Sequence, residues 1–348
     1  MHVVANAGAL ARVNAVKILP LGIALAALLV SACTHHASSA IPKHLAEPQP
    51  APPVAHEPPA PARHRVAITI DDLGASHASS DPALSEAMIA SLRRYDAPAA
   101  IFANCQNLKS ETLLMWKAAG ATIGNHTKSH LSIDDGDGPG APEAWRSGVA
   151  SCHQQLTQIL GEPDHYFRFP YLRYGKTDER RREAAAELAS LGYRVAHVTA
   201  ATSEWLIADF YDAARANDDT QLAHDVVVRY VAHMVEALDT AERMSKEKLG
   251  RDIPQITLLH VNRLAADHLG DVLRALRDRD WEFIPLAEAM ADPVYSRADA
   301  YTGKNGYSWI AHVVPPKPGE KYAFKDYEDQ LRKEFGPRLA KLRQPWTI

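Results

Sequence analysis

Five side chains in this 348-residue chain could bind a metal or move a proton, and their spacing brings them into one argument. Asp71 and Asp72 are adjacent and directly follow the apolar run Val66-Ala67-Ile68-Thr69-Ile70. His126 and His130 stand at i and i+4, so one helical turn would place both on one face. His260 follows a second apolar run, Gln255-Ile256-Thr257-Leu258-Leu259. Two histidines and one carboxylate form a three-ligand set that leaves a coordination position for water, as catalytic zinc sites do. A divalent ion there lowers the pKa of water to about 7. A second carboxylate can then accept a proton, and a histidine can give one near neutral pH. Neighbouring strand residues point to opposite faces, which is expected to separate a ligand from a base within Asp71-Asp72.

These residues need elements to position them, and the chain alternates strand-like and helix-like segments. Short buried-type runs occur at 66–70, 98–103, 121–124, 165–169, 193–198, 255–259 and 281–284. Between them lie helical patterns at 81–94, 110–119, 142–160, 177–192, 219–248 and 265–279. Asp81-Pro82 and Thr177 are start signals, and Gly120 and Gly192 are stop signals. A βα repeat predicts a parallel sheet of about seven strands, closed into a barrel. In such folds active sites collect at the C-terminal strand ends. Asp71-Asp72, the segment His126–His130, Arg168-Phe169-Pro170-Tyr171 and His260 all fall there.

Thr69-Ile70-Asp71-Asp72, His126-Thr127-Lys128-Ser129-His130, Arg168-Phe169-Pro170-Tyr171 and Leu258-Leu259-His260 together resemble four of the five signature motifs of the polysaccharide deacetylase family, carbohydrate esterase family 4 or the NodB homology domain. The resemblance spans about residues 65–292 and implies a distorted (β/α) barrel. It also implies removal of acetyl groups from N-acetylated sugars or acetylated xylan with one divalent metal, zinc being expected. By this resemblance Asp72, His126 and His130 are the metal ligands and Asp71 is the base. Arg168 holds the base, and the backbone N–H of Tyr171 is an oxyanion donor. His260 is the acid that protonates the leaving amine, and Leu258 and Trp205 wall the acetyl-methyl pocket. The chemistry is coherent, because the tetrahedral oxyanion needs stabilisation and an amine leaves poorly unless protonated.

The chain departs from the family pattern at two places. Position 73 is Leu where the family usually has Gly. The fourth motif, Asp-x-x-Asp-Trp in the family, stands here as Ala201-Thr202-Ser203-Glu204-Trp205. Ala201 removes the carboxylate that would tune His260, and Glu204 is expected to replace it. Arg173 and Asn262 are expected either among substrate-binding residues or, equally, as structural ones. His197 reads as a core histidine, and His224, His233 and His268 read as helix residues. The altered motif admits a rival reading, an inactive glycan-binding lipoprotein. O-deacetylation of a xylan-type polysaccharide with the same residues is another. Peptidoglycan, chitin-like and poly-N-acetylglucosamine glycans all fit the primary reading.

Charged residues make up 23% of the chain and the net charge is −4, which gives no basic stripe for nucleic acid. Residues 1–32 read as an export signal, with Arg12 and Lys17 before a 13-residue apolar run too short to span a membrane. The end, Val30-Ser31-Ala32-Cys33, resembles a bacterial lipoprotein signal. That implies lipid on Cys33 and an anchor in the outer membrane facing the periplasm, with no other membrane contact. Residues 33–64 hold eight of the 23 prolines and read as an extended linker without a core. Residues 293–348 form a C-terminal extension, with an aromatic, Gly-rich stretch from Tyr301 to Trp309 and a charged amphipathic helix at 320–343. Cys105 and Cys152 are then the two remaining thiols, and an oxidising periplasm permits a bridge between them.

Overall fold

The computed structural model describes residues 64–301, 303, 308–320, 322, 324 and 326–342. Cys33, the export signal, the linker to residue 63 and most of the stretch 302–307 lie outside the described residues. The strands are β1 (His64–Leu73), β2 (Ala99–Ala103), β3 (Thr122–Asn125), β4 (Tyr166–Phe167), β5 (Arg194–Val195), β6 (Gln255–His260) and β7 (Trp281–Phe283). The helices are α1 (Pro82–Arg94), α2 (Ser110–Ala118), α3 (Glu143–Leu160), α4 (Asp178–Ser190), α5 (Glu204–Ala216), α6 (Thr220–Leu249), α7 (Arg263–Arg277), α8 (Leu286–Ala289), α9 (Trp309–Val313) and α10 (Tyr327–Leu339).

All strand pairs are parallel, in the order β5-β4-β3-β2-β1-β6, with β7 on the first residues of β1. Just past β5, Ala200 bridges Thr257 of β6, and the N–H groups of Thr199 and Ala200 both donate to Ile256 O. That junction brings the two edges of the curled sheet together, giving the distorted α/β barrel of seven parallel strands. Val66 to Ile70 are all buried, because helices cover the outside and side chains fill the inside. The expected caps operate: Asp81 accepts from Ala83 N and Thr177 from Arg180 N. Each such cap is worth about 1 kcal/mol.

Two local features differ from the sequence reading. The segment 193–198 forms a strand over Arg194 and Val195 only; Ala196 N still donates to Phe167 O, and from Thr199 the chain bonds to β6 instead. Helix α5 starts inside the fourth motif and was not predicted. At the end of β1 the family's glycine position is filled by Leu73, fully buried and paired with Ala103. The close backbone approach falls instead on Gly74, whose φ is +86° and where a Cβ would sit 2.2 Å from Asn104 O.

Cys105 and Cys152 form a disulfide with Cα atoms 5.2 Å apart, tying α3 to the end of β2. The C-terminal extension packs on the barrel. Trp309 is buried and stacks on His197 at 3.4 Å. On α10, Phe335 meets Phe210 and Tyr327 meets His233, so this helix docks on α5 and α6. Among the described residues no helix is long and apolar enough to cross a membrane.

Candidate active site

Asp71 and Asp72 lie just before Leu73, the last residue of β1, and the register pairs Asp71 with His260 of β6. Strand alternation fails at this point. Asp72 adopts φ +69°, so the chain turns and both carboxylates face one cleft. The expected separation onto opposite faces is therefore overturned by backbone conformation. His126 Nε2 lies 3.6 Å from Asp72 Oδ1 and 3.7 Å from Asp71 Oδ2, and His130 Nε2 lies 3.5 Å from Asp72 Oδ1. Nor does a helical turn bring the two histidines together. The segment 126–130 is irregular, with Thr127 at φ +67° and His130 at φ +57°. Of eight described non-glycine residues with positive φ, five surround this cleft: Asp72, Thr127, His130, Tyr171 and Leu172. Such conformations cost about 1 kcal/mol or more each and persist where the surroundings enforce them.

The enforcement is visible. Asn104 Nδ2 donates to His126 O at 2.6 Å, Asn125 Oδ1 accepts from Thr127 N at 2.8 Å, and Lys128 N donates to Gly148 O of α3. The sequence reading missed Asn104 and Asn125; an Asn at or just past the end of each of two buried strands was the available signal. His126 Nδ1 is 2.8 Å from Arg168 O, which fixes the ring and leaves the Nε2 lone pair turned inward. Burial pushes the His126 ring well below the usual histidine range, helped by His130, so it is neutral as a ligand must be. Burial also lowers His130, against Asp72. One ligand atom each from Asp72, His126 and His130 lie within 4.8 Å of one another, and the buried Asp72 Oδ1 has no hydrogen-bond partner. An orphaned carboxylate oxygen between two imidazole nitrogens fits a divalent cation.

Arg168 is completely buried. Its Nη1 sits 3.4 and 3.5 Å from the two Asp71 oxygens, Nη2 donates to Thr69 Oγ1, and Nε donates to Ala196 O. Burial pushes the Asp71 carboxyl up to about 6, with Arg168 and His260 pulling it down. The guanidinium also lies over the Phe102 ring at 4.4 Å.

His260 Nδ1 is 2.9 Å from Glu204 Oε2. Glu204 is the first residue of α5 and has no exposed surface. Burial opposes a charged His260 ring, but the Glu204 hydrogen bond and charge, with Asp72 and Asp71, outweigh it and raise the pKa to about 9. The histidine is thus protonated at neutral pH and turns its other nitrogen away from Glu204.

The cleft holds about 500 Å³ and is lined by Asp71, Asp72, His126, His130 and His260 together with Tyr171, Arg173, Trp205 and Leu258. Glu328 of α10 also reaches it. Tyr171 is 56% and Trp205 36% exposed, and the Arg173 guanidinium lies 5.5 Å from the Tyr171 ring. Asn262 takes the structural one of its two expected roles. Its Nδ2 donates to Glu204 Oε1 at 2.6 Å and its Oδ1 caps α7 by accepting from Ala265 N. Each end of the amide thus holds one contact within the protein. His197 is a core histidine, as expected, and His233 is buried with Nε2 accepting from Ser203 N.

Residues 59–196 match the family described as polysaccharide deacetylase. That span holds Asp71, Asp72, His126, His130, Arg168 and Tyr171, and ends before Glu204 and His260. No curated protein matches the chain. Among solved structures it is similar to the peptidoglycan deacetylase PdaC from Bacillus subtilis, at 19% identity over 66% of this chain and 91% of that one, with a TM-score of 0.43. It is similar to the polysaccharide deacetylase Bc1974 from Bacillus cereus, at 17% identity over 64% and 92%, with a TM-score of 0.46. It is equally similar to BA3943 from Bacillus anthracis, a family 4 pseudoenzyme, at 14% identity over 67% of each chain, with a TM-score of 0.45.

Proposed function

We propose that this chain is a metal-dependent polysaccharide deacetylase that hydrolyses N-acetyl groups of a cell-wall or extracellular glycan. The observation that carries the reading is the meeting, in one cleft, of the Asp72–His126–His130 set around an unpartnered carboxylate oxygen with the His260–Glu204 pair. Asp72, His126 and His130 would hold one divalent ion, Zn²⁺ by the chemistry of a two-imidazole, one-carboxylate set. When bound, that ion supplies Lewis acidity to the attacking water and the acetyl carbonyl.

The chain's own residues do the rest. Asp71, held by Arg168, takes the proton of the attacking water. The Tyr171 backbone N–H, carried on the left-handed turn after Pro170, would serve as donor to the developing oxyanion. His260 is charged at neutral pH and delivers a proton to the departing nitrogen, so that the sugar leaves as an amine. Glu204 keeps that imidazole charged and oriented. Leu258 and Trp205 offer an apolar wall to the acetyl methyl, and Tyr171 and Arg173 line the mouth where sugar would lie.

The 2.9 Å contact between Glu204 and His260 supports turnover over binding alone, because a histidine acid needs a carboxylate partner of this kind. The test is acetate release from peptidoglycan, chitin oligomers, poly-N-acetylglucosamine and acetylated xylan. Release from an N-acetylated glycan, lost in Asp72→Ala, is the expected result. Release from acetylated xylan alone would instead assign O-deacetylation.

A further inference from the structure

We propose that Asn262 is a positioning residue for His260, acting through Glu204. Of the described residues, His260 and Asn262 are the two whose side chains hydrogen-bond the Glu204 carboxylate, one on each oxygen. A carboxylate held at one oxygen can rotate about its last bond; one held at both cannot. Asn262 is itself fixed, since its Oδ1 takes the Ala265 N–H at 2.8 Å. Flipping the amide would set its oxygen against Glu204 Oε1 and its NH₂ against a backbone N–H, so one orientation is permitted. The chain of contacts runs from the start of α7, through Asn262, to the first residue of α5, and from there to the histidine at the end of β6. The backbone closes the same loop, because Val261 N donates to Asp71 O. Three elements are thus registered on one imidazole.

The charged and titratable groups bearing on the pair are Asp71 and Asp72 from β1, His126 and His130 beyond β3, Asp209 on α5 and Tyr230 on α6. They set a field around His260, but Glu204 provides the directional contact, and Asn262 fixes its direction. Loss of the Asn262 donor should therefore weaken the His260–Glu204 hydrogen bond without removing the carboxylate.

This role in turnover rests on the deacetylase reading, but the geometry can be tested apart from it. In the metal-loaded full chain, the imidazole titration of His260 is followed by NMR, its signal identified as the one lost in His260→Gln. Asn262→Ser keeps a capping oxygen for α7 and removes the amide donor. The expected result is a His260 midpoint lower by about half a unit or more, a smaller fall than in Glu204→Gln. For acetate release, kcat should drop about tenfold with KM little changed. Asn262→Thr, which also caps, repeats the measurement if the serine variant does not fold. A midpoint that stays or rises in a folded variant overturns the proposal. Failure of both variants to fold also overturns it, assigning Asn262 to the fold rather than to His260. The midpoint is read without turnover, so it is decided even if no glycan is deacetylated; acetate release by the parent protein decides that question separately.

Discussion

Glu204 reaches His260 from a helix that begins where the family motif is altered. Burial alone would drive a histidine toward its neutral form, and the carboxylate at 2.9 Å reverses that. The acid must carry its proton, so activity should fall as pH rises through the His260 pKa of about 9. In Glu204→Gln the raising partner is gone and burial remains. The alkaline limb of the pH–rate profile should then move down by one unit or more, roughly, and kcat should fall with it. An unmoved limb would remove Glu204 from this role. The two aspartates separate by a different measurement. Asp72→Ala should lose the metal, found by elemental analysis, because it supplies the orphaned ligand oxygen. Asp71→Asn should keep the metal and lose turnover, because an amide does not accept the water proton. Loss of metal in Asp71→Asn would mean that the two roles are exchanged.

At the scale of elements, legibility followed burial and length. The runs in β1, β2 and β6 are apolar, buried on both faces and unmistakable, as are the capped starts of α1 and α4. The two-residue strands β4 and β5 are set by their neighbours, and no local pattern marks where the chain past Ala196 turns to β6. Helix α5 carries a readable stripe in Leu206, Ile207, Phe210, Tyr211 and Ala214, but reading Ala201–Trp205 only as the altered fourth motif hides the helix that starts inside it. The residue types of the site were legible, and so was Glu204 as the replacement carboxylate. The geometry was not, because it depends on left-handed backbone at Asp72, Thr127 and His130, which side-chain identity does not announce. Asn104 and Asn125 had a signal at the strand ends, but not one that names the backbone they hold. Two predictions belong here. Reducing the Cys105–Cys152 bridge, or replacing both cysteines with Ala, should destabilise the fold by about 2–4 kcal/mol, read as a lower denaturant midpoint. Trp309→Ala, which empties the contact with His197, should cost about 3–5 kcal/mol and loosen the C-terminal extension, read by limited proteolysis.

At the scale of the molecule, the described barrel keeps its chemistry on one rim, and the C-terminal extension completes that rim by bringing Glu328 to the cleft. We propose, from sequence, that the chain is exported and anchored by lipid on Cys33. Mass spectrometry of membrane-extracted protein should find the lipid on that residue and lose it in Cys33→Ser. The central claim is the metal-dependent deacetylation itself. Its most direct test is acetate release from N-acetylglucosamine oligomers and peptidoglycan by protein whose metal content is measured in the same sample. The expected result is about one equivalent of divalent metal per chain, acetate released, and release abolished by chelation and restored by adding the metal back. Full metal occupancy with no acetate from any N-acetylated glycan would contradict it.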